Sequence, residues 1–587
     1  MICMAFFKKI GFVILMIGLT LSSAHAADFS MMGGEVKGTL DTTLSYATMW
    51  RVSDQEKGRA GMTDPNFDDG NRNFDTGLVS NIGKILYDFR VQKDQGDNTI
   101  GLFSRGYALW DTKVKNASND NDSPTTNNSG PLYGGSLSRT NKFTEKTEDR
   151  SGADVDFLDL FLFGEFAKSS NHPFSLRVGK QVVSWGESLF IQTGISSVIN
   201  PADVSKAKLP GTEVKEILLP VYQISGSVSA TPNLSFGVYY QFKWENTIAP
   251  PTGTFLSTND FIADDGAEKL LIPVLPPPAA PFVSTPYLGL DRAGDMDADD
   301  SGQWGVSVNW YSEAINDTEF GLFYLNYHRK LPDLVIMSDG LGSVDHIWTG
   351  PPIPPLMGAV SYFDSARYAH KYYEDVKLMG FSWNTMLPFV DTALSGEIAY
   401  HHDIPVQTTS SPDGLKALAP DGVPAPGKVV ELSTREEMVI AQVTFNKDMN
   451  IPAIADDIGF LVEFGVVHVL DLDDGEIFRG PRPCDQTAWG YKAMLNLTYY
   501  DAFASIWSAL SSVDLTVKFT FNHDVDGVSA IPAGSFTEDE KSVGIGFEAS
   551  WQNVLSFNMA YNNFFGAGDK SAISDRDNVS CTLKYRF

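Results

Sequence analysis

Cysteine is nearly absent from this 587-residue chain: only Cys3, Cys484 and Cys581 occur, and Cys3 falls in a leader-like segment. Cys484 sits in a loop and Cys581 on the apolar face of a strand, so no disulfide framework is expected and stability must come from elsewhere. Basic residues are also scarce, 44 Lys and Arg against 73 Asp and Glu, for a net charge of −29. That balance excludes a nucleic-acid partner, which needs a basic face. Past residue 26 there is no apolar run long enough for a membrane-crossing helix. Strands are not covered by this exclusion, because a spanning strand shows only about ten residues of alternating character.

Several chemistries are missing too. No G-x-S-x-G elbow occurs, and His328, His468 and His523 have no nucleophile at a recognisable spacing, so no enzyme is expected. Asp64, Asn66 and Asp68, like Asp295, Asp297 and Asp299, mimic the start of a calcium loop. Both runs put Asp (Asp69, Asp300) where the turn requires Gly, and fail the template. His401-His402-Asp403 lies at a strand end, where adjacent histidines point to opposite faces and chelate poorly. No metal and no cofactor are expected.

What is present begins with a leader. Lys8 and Lys9 precede an apolar run from Ile10 to Leu21, and Ala24-His25-Ala26 offers small residues to a signal peptidase. Residues 1–26 read as a signal peptide, with the secreted chain starting at Ala27 and no cysteine there to carry a lipid. Without the leader's two lysines the net charge becomes −31.

The rest of the chain alternates. Val579, Cys581, Leu583, Tyr585 and Phe587 share one face of the last segment; Ser580, Thr582, Lys584 and Arg586 share the other. Leu234, Phe236, Val238, Tyr240, Phe242 and Trp244 likewise oppose Ser235, Gln241, Lys243 and Glu245. A strand with lipid on one side and a wet lumen on the other must alternate in this way. Such segments fall near 35–51, 78–91, 98–111, 155–166, 173–184, 222–230, 233–245, 302–312 and 317–330. They continue near 374–386, 392–402, 436–447, 457–470, 489–501, 511–523, 541–551, 554–563 and 577–587. These are eighteen strands, or sixteen if the blurred segments 155–166, 374–386 and 392–402 are misjudged. The connections alternate long and short, which puts all long ones on one rim and both termini on the other. The expected fold is therefore all-β: a transmembrane, antiparallel, up-and-down β-barrel of 16–18 strands, with long extracellular loops and short periplasmic turns. A soluble sandwich would need a second sheet to cover so many aromatic stripes.

One long connection differs from the others. Residues 185–220 are mixed in character, with turn starts at Asn200-Pro201 and Pro210-Gly211. Two readings stand open: an ordered surface loop, or a segment folded into the lumen. The stretch also carries distinctive runs, Arg177-Val178-Gly179-Lys180-Gln181-Val182-Val183-Ser184-Trp185-Gly186-Glu187-Ser188 and Asn200-Pro201-Ala202-Asp203-Val204-Ser205-Lys206. Pro210-Gly211-Thr212-Glu213-Val214-Lys215-Glu216-Ile217-Leu218-Leu219-Pro220 is a third. Asp69-Gly70-Asn71-Arg72-Asn73-Phe74-Asp75-Thr76-Gly77-Leu78 and Ser257-Thr258-Asn259-Asp260-Phe261 are two more. Together they resemble a large proteobacterial family known only as a domain of unknown function and regarded as outer-membrane proteins. Lys180 stands where that family's pattern leads one to expect Arg. The resemblance implies an outer-membrane barrel. It also implies traffic of lipid-like or steroid-like molecules, since similar proteins are encoded near exporters of the resistance-nodulation-division type and near degradation pathways for hydrophobic compounds. A periplasmic or inner-membrane exporter is the partner so implied.

Two apolar, Pro-rich stretches, Leu270–Val283 and Ile347–Met357, fall in long loops and offer a greasy entrance or a self-packed cap. Arg105, Arg177, Lys180, Lys243 and Lys518 are read as inward-facing cations, answered by Glu245, Glu463 and Glu548. Such opposed charges either sort solutes or brace the wall. Candidate constriction residues are Arg105, Arg177, Lys180, Gln181, Trp185, Glu187, Asn200, Asp203, Lys206, Glu213, Lys215, Lys243 and Glu245. The functional expectation is a channel for small, hydrophobic molecules narrowed by 185–220, with a general or ion-selective porin and a barrel-anchored surface binding protein as alternatives. Expected partners are outer-membrane lipid and lipopolysaccharide, the solute itself, and the barrel assembly machinery that would read Phe587.

Overall fold

The computed structural model describes residues 28–56, 66–67, 69–120, 142–191, 194–263, 269–273, 287–338, 365–408, 429–472, 484–507, 510–530 and 535–587. The proposed leader (1–26), Asp64, Asp68 and the stretches 274–283 and 347–357 lie outside them.

In chain order the strands are β1 (Phe29–Met31), β2 (Val36–Arg51), β3 (Gly77–Gln95), β4 (Asn98–Asp111), β5 (Ala153–Phe166), β6 (Phe174–Gln181), β7 (Val221–Thr231) and β8 (Leu234–Gln241). Next come β9 (Lys269–Pro273), β10 (Tyr287–Arg292), β11 (Trp304–Ser312), β12 (Thr318–Tyr327), β13 (Asp333–Ser338), β14 (Ala366–Lys371), β15 (Val376–Leu387) and β16 (Thr392–Gln407). The last are β17 (Val429–Glu431), β18 (Ser433–Ile451), β19 (Ala455–Val469), β20 (Thr487–Tyr499), β21 (Val513–Asp526), β22 (Glu540–Trp551), β23 (Leu555–Gly566) and β24 (Asn578–Arg586).

Strands β2–β8, β11, β12, β15, β16 and β18–β24 pair antiparallel in sequence order, and β2 pairs with both β3 and β24. The sheet therefore closes on itself as an eighteen-stranded up-and-down barrel. At the seam Thr42 N–H donates to the Phe587 carbonyl (2.7 Å) and Phe587 N–H to that of Thr42 (2.9 Å). Closure leaves no row of unpaired edge groups, a requirement for strands that cross a bilayer. The eighteen expected strands correspond one to one with these, the blurred ones included.

Alternation dictates which face each residue takes. On β8, Phe236, Val238 and Tyr240 point outward and are exposed, while Tyr239 and Gln241 are buried inside. The outer face carries a continuous apolar surface: Ile100 (53%), Val155 (76%), Leu162 (59%) and Leu322 (58%) among others remain uncovered. In water that surface would be strongly unfavourable; in hydrocarbon it needs no cover, and the barrel is transmembrane. Short turns connect the strands at one rim. Gln552 and Asn553, at φ 51° and 57°, make the β22–β23 reversal in the left-handed backbone that matches strand twist. Among the described residues no helix is long and apolar enough to cross a membrane.

The opposite rim bears all the long connections and a second sheet absent from the expected fold. Its order is β17-β13-β14-β10-β9, with β10 and β14 parallel. Three different long connections supply those strands.

Among the described residues, the largest cluster of buried apolar side chains lies within the barrel. Val183, Ile191, Ile195, Val198 and Ile199, from the connection between β6 and β7, pack on inward residues including Tyr239, Phe323, Leu378, Ile440 and Val467. Cys484 belongs to the same cluster, and Cys581 is buried in the last strand.

Candidate functional site

The β6–β7 connection leaves the wall at Gln181, whose side-chain amide exchanges hydrogen bonds with Gln223: Gln181 Nε2 donates to the Gln223 carbonyl (3.0 Å) and Gln223 Nε2 to that of Gln181 (2.8 Å). Asn200 then clasps the departing chain, donating to the Val183 carbonyl (2.6 Å) and accepting from Val183 N–H (3.1 Å). Trp185 lies against Tyr239 (5.1 Å between ring centres) and Phe323 (5.9 Å), both inward residues. Gly237 leaves room for it, since a Cβ there would stand 3.2 Å from the indole.

Two glutamates on a distant stretch of wall receive this chain. Glu397 of β16 accepts from the N–H groups of Glu187 (2.7 Å), Ser188 (3.3 Å) and Ile195 (2.9 Å). Glu463 of β19 accepts from Leu189 (2.8 Å), Phe190 (2.9 Å) and Ile191 (2.6 Å), and from the Thr444 hydroxyl (3.0 Å). Both carboxylates are shut away from solvent, Glu463 completely. A buried charge is tolerated only when its lone pairs are satisfied, and the loop's backbone satisfies them here. Glycine supplies the close approach. A Cβ on Gly194 would collide with Glu397 Oε1 at 1.9 Å, and one on Gly465 with Ile191 at 2.4 Å.

The chain then reaches a third arc of wall. Asp203 caps the short helix Val204–Ala207 by accepting from Lys206 N–H (3.0 Å). The Lys206 ammonium meets Asp203 (3.1 Å), Asp154 (3.7 Å) and the Tyr107 hydroxyl, and lies over the Tyr107 ring. Lys84 of β3 holds Glu216 at 2.6 Å, and Lys584 of β24 holds Glu213 at 3.1 Å, with Arg586 at 3.7 Å from the same carboxylate. Lys215 pairs with Asp88 (3.1 Å), which Arg105 also binds (2.7 Å) while reaching Asp159 (3.1 Å). Residues 182–220 thus touch inward side chains of β3, β4, β16, β19 and β24, around most of the ring.

Of the candidate constriction residues, Gln181, Trp185, Glu187, Asn200, Asp203, Lys206, Glu213 and Lys215 come together along this segment, and Arg105 joins them from β4. Arg177 points inward nearby, its guanidinium 5.6 Å from the centre of the Phe161 ring. Three residues are placed otherwise. Lys180 faces outward, in register with outward Leu160 and Tyr222, and hydrogen-bonds the Phe157 carbonyl (2.6 Å). Strict alternation puts it opposite Arg177, so the two cannot share the inner face. Lys243 and Glu245 follow the end of β8 and pair with each other (2.5 Å), half exposed at the long-connection rim. Trp244 between them is buried against Tyr372 rather than outward. Lys518 and Glu548 occupy inward registers.

Sequence reasoning missed Glu397, Lys84 and Asp88, which anchor the segment from the wall. A glutamate amid apolar neighbours on a strand, as in Ser395-Gly396-Glu397-Ile398-Ala399, is the signal that could have found one of them. Two of the distinctive runs turn out to be structural. Arg51, wholly buried, donates to the carbonyls of Asn71 (3.1 Å), Phe74 (2.8 Å) and Asp575 (2.9 Å), and Arg576 to that of Phe255 (2.7 Å). These bonds knot 69–78 and 253–261 over the rim. The acidic runs are occupied as well: Asp295 pairs with Arg292 (3.0 Å), and Asn66 bonds Leu271 through both its polar atoms (2.7 Å each). His402, Asp403 and Glu437 come together at a bulge, a meeting that the opposed faces of His401 and His402 did not suggest.

A family model described as "Protein of unknown function (DUF1302)" matches residues 9–587. No curated protein matches the sequence. Among solved structures, Acinetobacter baumannii OccAB2 aligns at 10% identity over 94% of this chain and 98% of its own, with a TM-score of 0.38. Acinetobacter baumannii OccAB1 does so at 10% identity, 96% and 99% coverage and a TM-score of 0.40. Pseudomonas aeruginosa OccK5 gives 10%, 94%, 98% and 0.38. At those scores the closed barrel rests on the strand pairing itself.

Proposed function

The chain belongs to the family described as protein of unknown function (DUF1302), and on that footing we propose that it is an outer-membrane channel for small molecules, narrowed by residues 182–220. The observation that supports this most is the anchoring of one connection on widely separated walls: Glu397 and Glu463 on one side, Lys84 and Lys584 on another. A structural brace alone would not need to cross the interior of a closed barrel. A constriction does, and its residues then select what passes.

Sidedness follows from the long connections. With short turns and the Phe587 end in the periplasm, the knotted loops and the second sheet lie outside the cell. Phe587 is then the residue offered to the assembly machinery, and the exposed apolar belt meets lipid and lipopolysaccharide.

Solutes with an apolar body are favoured. The support is on the inner wall, where Phe103, Phe161 and Phe163 face the interior of a barrel whose lumen would ordinarily be polar. Handing over to a periplasmic or inner-membrane exporter is compatible with this route.

The experiment is conductance of the intact protein in planar bilayers, with fractionation to place it in the outer membrane. Small, discrete conductance steps are expected. Large non-selective steps would instead favour a general porin, and a complete lack of conductance a barrel that only anchors its surface loops.

A further inference from the structure

Inward arginines of the wall mostly have carboxylates. Arg51 has Asp575 (3.4 Å), Arg105 has Asp88 and Asp159, and Arg586 has Glu213. Among the described residues, Arg177 and Arg90 have none. In register they face the same interior, Arg90 beside Phe103 and Arg177 beside Phe163. Arg90 bonds only Gln92 Oε1 (2.8 Å) and stacks on Phe163 at 4.5 Å. Arg177 has no hydrogen bond or ion pair among the described residues, only the Phe161 ring beneath it. Two unpaired guanidiniums are unexpected in a chain where acidic side chains outnumber basic ones by 73 to 44.

The space around them is built. Phe103 and Phe161 are 5.4 Å apart, and Phe161 and Phe163 6.4 Å. Glycine makes room for the rings: a Cβ on Gly101 would stand 2.4 Å from Phe163, and one on Gly179 2.7 Å from the Phe161 backbone. A cavity of about 180 Å³ lies between the two arginines and these rings, with Glu165 also on its edge. A second, of about 210 Å³, adjoins it through Ser175 and Arg177 and extends to Trp185. An apolar lining with a few convergent polar donors is what holds a small organic ligand.

We propose that Arg177 and Arg90, set on Phe103, Phe161 and Phe163, form a binding site for a small aromatic carboxylate. The planar guanidinium of Arg177 receives the two carboxylate oxygens side by side, and the rings take the apolar body. Stacking on Phe161 and Phe163 holds each guanidinium in place without neutralising it, which leaves its charge for the ligand. The proposal rests on the channel reading for its role, since it places the ligand just beyond the 182–220 segment on the way through. The site itself stands on the wall alone.

The test uses the intact protein with benzoate as probe, benzamide as its neutral twin and acetate as an anion without a ring. Titration calorimetry in detergent measures binding, and current block in planar bilayers measures the same site in the open route. Benzoate is expected to bind and block, with benzamide and acetate much weaker. Arg177→Gln should weaken benzoate about tenfold or more, the loss of a charge-assisted pair, and Arg177→Lys should fall between. Phe161→Leu should weaken benzoate while leaving acetate as it was. Lys518→Gln, which removes an inward charge elsewhere, should change nothing. Heat-modifiable gel migration confirms that each variant is a folded barrel. Equal binding of benzoate and benzamide, or benzoate binding indifferent to Arg177→Gln in a folded barrel, overturns the site. Conductance without benzoate binding removes the site and keeps the channel. Arg177-dependent binding without conductance keeps the site and removes the channel.

Discussion

Replacing Glu463 by Gln is the sharpest perturbation of the 182–220 segment. The native carboxylate is fully buried and accepts three consecutive backbone N–H groups at 2.6–2.9 Å, besides the Thr444 hydroxyl. The amide has nearly the same volume, so packing is preserved, but one of its two polar atoms is a donor facing donors. At least one N–H, and the new NH₂, lose their acceptors. Each buried unsatisfied group costs roughly 1–3 kcal/mol, and hydrogen bonds to a charged acceptor about 1.5–3 kcal/mol. Because such losses are not additive, the net weakening of the anchor should be about 3 kcal/mol, a factor on the order of one hundred in local opening. Hydrogen–deuterium exchange resolved to peptides covering 187–191 reads this directly. Those amides should lose about two orders of magnitude of protection while β21–β23 stay unchanged. Unaltered exchange at 187–191 in Glu463→Gln would refute the anchoring.

Other outcomes follow from the same geometry. Gly465→Val places side-chain atoms where Ile191 already sits, 2.4 Å from the would-be Cβ. It should destabilise the segment by about 1–3 kcal/mol, seen as faster exchange at 189–195 and more frequent gating of single channels. Burial pushes the Asp333 carboxyl of the outer sheet up to about 6, with Ser433 hydrogen-bonded to it at 2.6 Å. A raised value means the folded sheet prefers the protonated form. The stability it contributes is complete below pH about 4 and is lost as pH rises through about 6, by about 3 kcal/mol in all. Protection factors of β13 and β14, taken against the intrinsic exchange rate at each pH, should therefore fall across that window and level off above it, and Asp333→Asn should abolish that fall. Phe587→Ala should reduce the yield of heat-modifiable barrel in cells, measured by gel shift, if the assembly machinery reads that residue. Equal yield would argue against that partner.

The strands were legible because lipid outside and water inside impose a two-residue period that nothing else in the chain imitates. β5 blurred it for a physical reason: Leu160 and Leu162 face outward while Phe161 and Phe163 face inward, so both faces are apolar. The same blur marks the aromatic wall of the proposed ligand site, which makes an irregular strand more informative than a regular one. Lys180 was misplaced by charge: it joined Arg177 as an inner cation although it lies three positions further on, an odd spacing that alternation forbids. Lys243 and Glu245 were misplaced by length, because β8 ends at Gln241. The second sheet gave no signal, since strands as short as β17 (3 residues) pair with partners from other loops. The destination of residues 185–220 was equally silent. Glu397 and Glu463 are 202–274 positions away from the amides they hold, and no local pattern encodes such a contact.

On the channel proposed here, residues 182–220 set the width of the passage. Single-channel conductance of the intact protein, compared with a variant in which residues 187–194 are replaced by a short Gly-Ser bridge, tests it most directly. The shortened segment loses all three N–H groups that Glu463 accepts and two of the three that Glu397 accepts, so conductance should rise severalfold and solute discrimination should fall. A folded variant that conducts no better than the parent would contradict the claim, and the segment would then be a brace with the constriction elsewhere.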